Sequence, residues 1–119
     1  MNKNKEFFGI DISKDVFDVV DASDKHRQFK NDHSGFKEFS KLLSEKSHCV
    51  MEATGSYYQG LATWLYSRSI KVSVVNPLSV KRFIQMRLKT SKTDKLDALM
   101  IRLYGESEQP EPGAWQSAL

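Results

Sequence analysis

Cysteine is almost absent from these 119 residues: Cys49 stands alone, so no disulfide can form within the chain, and a reducing compartment is implied. Proline is nearly as scarce, its three copies falling at positions 77, 110 and 112, where they bound predicted helices rather than interrupt them. No apolar run approaches the ~20 residues of a membrane-spanning helix. The opening Met1-Asn2-Lys3-Asn4-Lys5 is polar and leads straight into a strand, without a signal-peptide apolar stretch. His26, His33 and His48 are scattered, none with a second histidine three or four positions away, which argues against a zinc site. Internal repeats and low-complexity segments are missing as well. Together these absences predict a cytoplasmic protein with no membrane association.

What remains is an ordinary globular balance, 39% hydrophobic and 28% charged, at a length that suits one domain with its own core. The net charge of +3 becomes informative only when it is located. Residues 1–30 hold six basic and six acidic side chains, and residues 31–70 hold four of each. Residues 71–95 hold seven basic side chains (Lys71, Lys81, Arg82, Arg87, Lys89, Lys92 and Lys95) against Asp94 alone. The last stretch, 96–119, sets Arg102 against four acids. A charge run is ordinarily a solvated face. One that leads directly into paired aspartates shifts the reading toward a polyanion.

Residues 6–12 read as a strand, Ser13-Lys14-Asp15 as a tight turn, and 16–21 as a second strand rich in Val and Phe. After a turn over 22–25, His26 to Lys30 reads as an edge-like strand whose Lys and Arg suit exposure. Short connections make these strands an antiparallel meander. A helix is predicted over 34–45, capped by Ser34, with Phe36, Phe39, Leu42 and Leu43 on one face. A buried strand follows at 48–52. The turn Ala53-Thr54-Gly55 opens a helix bearing Tyr57, Tyr58, Leu61, Trp64 and Leu65, whose aromatics read mostly as core. Residues 70–75 form the next strand. Asn76-Pro77 starts a helix, with Asn as cap and proline at the first helical position, and this helix runs to about Leu88. Lys89-Thr90-Ser91-Lys92 is a basic loop. Ser91 or Thr93 caps a last helix to about Tyr104, stopped by Gly105, Pro110 and Pro112.

The two later strands each follow a helix, so crossovers make them parallel to a central strand. The order predicts an α/β fold of ribonuclease H-like type: a mixed five-stranded sheet, three antiparallel strands then two parallel, flanked by helices. Residues 1–105 would form this domain, and 106–119 a linker or the truncated start of a following region.

Four acids stand out against this frame. Strand alternation puts Phe8, Ile10 and Ile12 on one side and Phe7, Gly9 and Asp11 on the other. A glycine there implies close approach by another element or a ligand. Glu52 ends the strand over 48–52, and Asp94 and Asp97 lie three apart on one helix face. Each has an ordinary reading: an exposed strand position for Asp11, a solvated strand end for Glu52, and a favourable helix dipole for the aspartate pair. A carboxylate in a buried strand, however, is costly unless something pairs with it, and a metal is the usual partner. If they converge, the four suit one or two Mg²⁺-like ions acting on phosphate.

Other features are less specific. Ser13-Lys14 reads as a hairpin turn, with Lys14 near enough to Asp11 to contact phosphate. Cys49, in an apolar strand, reads as core rather than nucleophile. Thr54-Gly55-Ser56 could hold an anion on backbone amides, or Ser56 could simply cap the helix. Gly9-Ile10-Asp11 also opens sugar-kinase and actin-like ATPases, but Ser13-Lys14-Asp15 is not the glycine-rich phosphate turn that those proteins need.

Gly9-Ile10-Asp11-Ile12-Ser13-Lys14, Glu52-Ala53-Thr54-Gly55, Val75-Asn76-Pro77 and Lys92-Thr93-Asp94-Lys95-Leu96-Asp97-Ala98 together resemble the DEDD transposases of bacterial insertion sequences. That family includes the Piv-like site-specific DNA invertases, and its N-terminal domain is similar to the RuvC Holliday-junction resolvases. The resemblance runs through about Tyr104 with the motifs in order. It implies an Asp-Glu-Asp-Asp tetrad on Asp11, Glu52, Asp94 and Asp97, which would be catalytic and would bind Mg²⁺ or Mn²⁺. It also implies a second domain supplying a serine nucleophile, DNA as substrate, a structured guide RNA in some members, and a homo-oligomer.

The expectation is therefore the N-terminal, RuvC-like catalytic domain of a DNA transposase or site-specific recombinase, performing metal-dependent phosphodiester cleavage and strand transfer. Lys14, Arg82, Arg87, Lys89 and Lys92 would bind the nucleic-acid backbone without choosing its sequence. Two alternatives stay open: a stand-alone Holliday-junction-type nuclease, and a non-catalytic nucleic-acid-binding assembly domain whose binding ignores Mg²⁺.

Overall fold

The computed structural model describes residues 5–53, 55–87 and 94–113, and of residue 87 and residues 94–97 the backbone only. Strand β1 (Glu6–Ile12) turns through Ser13–Asp15 into β2 (Val16–Val20), and β3 (His26–Lys30) completes the meander. Helix α1 (His33–Ser40), β4 (Ser47–Glu52), α2 (Tyr58–Ser67), β5 (Lys71–Val75), α3 (Pro77–Arg87) and α4 (Asp94–Glu108) follow. The sheet order is β3-β2-β1-β4-β5. β1 is antiparallel to β2 and parallel to β4, and β4 is parallel to β5. This is the expected mixed sheet, with the strand that carries Asp11 at its centre. The ribonuclease H-like fold follows from it.

The two faces of the sheet bury separate clusters, as period-2 alternation dictates. On one face Phe8, Ile10, Phe17, Val19, Cys49, Met51 and Val72 pack against Phe36 and Phe39 of α1 and Leu61 and Leu65 of α2. On the other, Phe7, Val50 and Val75 pack against Val80 and Ile84 of α3 and Met100 and Ile101 of α4. Cys49 is fully buried, and burial pushes its thiol far above the ordinary range, so it is core and not a nucleophile. Trp64 and Tyr58 pack on the first cluster, but Tyr57, expected in the core, is 48% exposed. It precedes the helix, in the turn that Gly55 opens with φ 61°.

Several element ends differ from expectation for identifiable reasons. Helix α1 begins earlier than Ser34, because the Asp32 carboxylate accepts from the Gly35 amide at 2.9 Å and from the Ser34 hydroxyl at 2.8 Å. Ser34 serves the cap rather than being it. The same helix ends at Ser40, and Leu42 is left 37% exposed. Helix α4 continues through Gly105, whose missing side chain lets the helix settle on Val50 and Phe7: a Cβ there would stand 2.7 Å from Val50 Cγ2. The helix stops instead at Gln109, which takes a left-handed φ of 44° and donates its amide to the Gly105 carbonyl at 2.8 Å. The chain then follows the outer edge of β5. The Ser73 hydroxyl donates to the Pro110 carbonyl at 2.9 Å, and the Gly113 amide donates to the Val72 carbonyl at 2.7 Å. The proposed caps Ser91 and Thr93 lie outside the described residues.

Candidate functional site

The parallel register of β1 and β4 pairs Gly9 with Val50 and Ile10 with Met51. One step further along the same register stand Asp11 and Glu52, at the carboxyl ends of neighbouring parallel strands. Both are half-buried. Val50 belongs to the cluster under α3 and α4, so two-residue alternation puts Glu52 on that face as well. Asp11 shares the face through Phe7 and Gly9. The two carboxylates therefore occupy one side of the sheet, beside each other.

Helix α4 crosses the same face. A Cβ on Gly9 would lie 2.0 Å from the Ala98 carbonyl oxygen and 2.4 Å from the Arg102 nitrogen, so the helix backbone rests directly on the strand there. Gly105, further along the helix, rests over Phe7 and Val50. These contacts fix the direction of α4, which runs from the carboxyl end of β1 toward its start. Its first turn, Asp94–Asp97, thus begins on the side of Gly9 where Asp11 and Glu52 lie. The side chains of Asp94 and Asp97 lie outside the described residues.

Arg102 ties this helix to the meander. It is 5% exposed, donates from Nη1 to the Asp21 carbonyl at 2.9 Å, and hydrogen-bonds through Nη2 to the Asp24 carboxylate. Glu106, one turn along, sits 3.7 Å from Nη1. A buried guanidinium needs such partners, and here they come from the β2–β3 turn and from its own helix. The helix is therefore held both by close backbone packing and by an ionic anchor.

Sequence reading missed a fifth acid on this face. Asp18 of β2 stands directly opposite Asp11. Its carboxylate accepts from Gln28 Nε2 at 3.0 Å and lies 2.9 Å from His26 Nε2, both on β3. The signal was available: counting outward from the turn closed by Ser13 and Val16 brings Asp11 and Asp18 face to face. Among the described residues no three His, Cys, Asp or Glu side chains converge as a metal site. The donor chemistry of Asp11 and Glu52 still suits a hard divalent cation, which takes carboxylate oxygens and completes its shell with water or phosphate.

The basic residues divide. Lys14, in the β1–β2 turn, and Arg82, on α3, are exposed. Arg87 ends α3 with only its backbone described. Lys89 and Lys92 lie outside the described residues.

A family model described as a transposase, of the DEDD insertion-sequence type, matches residues 8–113. The chain is similar to the pilin gene-inverting proteins of Moraxella bovis and Moraxella lacunata, each 35% identical over 122 aligned positions that cover 95% of this chain. It spans 37% of the length of those relatives. Among solved structures it is similar to Thermus thermophilus RuvC in complex with a Holliday junction substrate, with a TM-score of 0.60, 12% identity, and coverage of 91% of this chain and 99% of that one. RuvC from the same organism, in another structure, gives a TM-score of 0.58 at 11% identity, covering 90% and 99%. At such identity these likenesses bear on the fold, and they agree with the ribonuclease H-like sheet described above.

Proposed function

Because the chain belongs to the DEDD transposase family, we propose that it forms the catalytic domain of a DNA transposase or site-specific recombinase, cutting phosphodiester bonds with divalent metal and transferring the cut strands. One observation carries this reading: Asp11 and Glu52 end neighbouring parallel strands on a single face, and the helix bearing Asp94 and Asp97 crosses that face at Gly9. The relatives named for inverting pilin genes, and the RuvC neighbour named with a Holliday junction, support DNA, including branched DNA, as the substrate class. The catalytic domain, expected from the sequence over 1–105, would extend through the end of α4 at Glu108 and the stretch to Gly113 that packs on β5, before a following region. A structured guide RNA and a homo-oligomer belong to the same reading.

In this reading Asp11, Glu52, Asp94 and Asp97 hold Mg²⁺ or Mn²⁺. The bound ion would supply Lewis-acid polarisation of a phosphodiester oxygen. The carboxylates would fix the place where the scissile phosphate enters, with Asp11 on the central strand of the sheet. Lys14, Arg82, Arg87, Lys89 and Lys92 hold the flanking backbone as point charges and orient it without reading bases. Gly9 brings the helix close enough for its first turn to share the strand-end carboxylates.

The test is a Mn²⁺ soak of crystals of the chain, paired with Mn²⁺-dependent cleavage of branched and linear DNA by the full-length protein. An ion held by Asp11, Glu52 and the aspartate pair, with cleavage lost in Asp11→Asn, is the expected result. DNA binding that ignores both metal and Asp11→Asn would favour a non-catalytic assembly domain instead.

A further inference from the structure

Asn31 follows the last residue of β3, and its side chain is used by neither the sheet nor the carboxylate cluster. Its side-chain amide nitrogen donates to the Ser13 carbonyl at 3.0 Å and to the Tyr57 carbonyl at 3.2 Å. Its backbone amide donates to the Asp15 carbonyl at 2.9 Å. Both side-chain partners are carbonyl oxygens, so only a donor suits the side chain here, and the orientation of the amide follows from its neighbours. Two of those bonds hold the carbonyls of Ser13 and Asp15, the residues on either side of Lys14. The third reaches the loop that follows Glu52. Asn31 thus joins the turn after Asp11 to the loop after Glu52, at the end of the sheet where both acids stand.

We infer that Asn31 is a positioning residue that welds these two loops into one rim and holds Lys14 toward a nucleic-acid phosphate beside the carboxylates. The inference deepens the functional reading above and rests on it. A lysine on a free turn loses side-chain and backbone entropy when it takes a phosphate. A turn already fixed at Ser13 and Asp15 has lost the backbone part beforehand, so the contact gains from pre-organisation. The amide's own role is indirect, and it touches no substrate.

The experiment is a double-mutant cycle on DNA affinity, in Ca²⁺ to prevent cleavage, using the full-length protein with Lys14→Ala, Asn31→Ala and both together. Lys14→Ala is expected to weaken binding about five-fold and Asn31→Ala about three-fold, with the double variant no worse than Lys14→Ala within two-fold. Asn31→Asp should be at least as harmful as Asn31→Ala, because it turns a carboxylate oxygen, an acceptor, toward the Ser13 and Tyr57 carbonyls. Two outcomes would overturn the proposal alone: DNA binding in which the two losses simply multiply, or binding indifferent to Lys14. A protein that binds no DNA at all would remove the functional reading and this proposal with it. Amide hydrogen exchange supplies a separate check, since Asn31→Ala should speed exchange at both Asp15–Val16 and Tyr57–Gln59. Faster exchange in one loop only would mean that Asn31 does not join them.

Discussion

The Ala98 carbonyl oxygen lies 2.0 Å from the point where a side chain on Gly9 would begin. No rotamer change relieves such a clash, because the opposing atoms belong to the helix backbone. Gly9→Ala should therefore lift α4 off the sheet and destabilise the protein by about 3 kcal/mol or more. Urea denaturation would show this as a lower midpoint. The midpoint should fall far less for Gly60→Ala, where a Cβ would meet Phe36 at an ordinary 3.6 Å. Equal midpoints for the two variants would contradict the crossing.

Asp11→Asn separates function from stability. Carboxylates ~4 Å apart repel by roughly 4 kcal/mol at an effective dielectric near 20, most of which solvent and protonation relieve. In chelator the variant should therefore be the more stable protein, by about 1 kcal/mol. In millimolar Mg²⁺ the order should shrink or reverse, because only the wild type gains from bound ion. Thermal melts in both buffers decide it. A variant destabilised equally in each would make Asp11 a structural residue.

Calorimetric Mn²⁺ titration addresses the aspartate pair. Asp97→Ala should give a smaller heat and weaker binding than the wild type. Identical isotherms would take Asp97 out of the metal centre.

The basic stretch over 71–95 has a salt signature. If Lys89 and Lys92 meet phosphates, changing both to Ala should reduce the slope of log affinity against log salt by about one to two. An unchanged slope would mean that they meet water alone.

His48 predicts a pH dependence. It is 1% exposed and stacks on Phe7 at 4.9 Å, with Nε2 2.7 Å from the Ser73 hydroxyl. That hydroxyl donates onward to Pro110, so Nε2 carries the imidazole proton. Burial, with Lys5 and Lys71 nearby, pushes its pKa down from 6.5 to about 4. The unfolded chain thus binds a proton that the folded one refuses. The neutral ring's contribution is complete above about pH 6.5 and is lost as pH falls toward 4, by up to ~3 kcal/mol. His48→Gln should cost stability at pH 7, while the gap to wild type should close by pH 4.5. A gap that stays constant would show that the ring is not held neutral.

The sheet was legible because its signals are local and periodic. The alternation of Phe7, Gly9 and Asp11 against Phe8, Ile10 and Ile12 gave the two faces, and Gly9 announced the close crossing before its partner was known. The ends of helices were harder to read, since one residue type serves several purposes. Gly105 resembles a helix stop but is a contact with Val50, and Asp32 and Ser34 are both plausible caps until their hydrogen bonds are seen. Asp18 was within reach of the sequence, because counting outward from the Ser13–Asp15 turn sets it opposite Asp11. Asn31 was not, because its meaning depends on the Tyr57 carbonyl of a loop distant in sequence, which composition and spacing do not encode.

The path of residues 110–113 along β5 has a consequence for assembly. An uncovered edge strand offers a ladder of donors and acceptors on which a second chain can add its own strand. Here the Gly113 amide already takes the Val72 carbonyl on that ladder, while Pro110 is held beside it through the Ser73 hydroxyl. At the opposite border, β3 ends in the exposed Lys30, and its Arg27 is already engaged by Asp21 at 2.8 Å. A second strand added at Val72 would therefore first have to displace the chain's own Gly113. Trimming the chain back to Gln109 should uncover that edge, and light scattering should then show edge-to-edge association and loss of solubility.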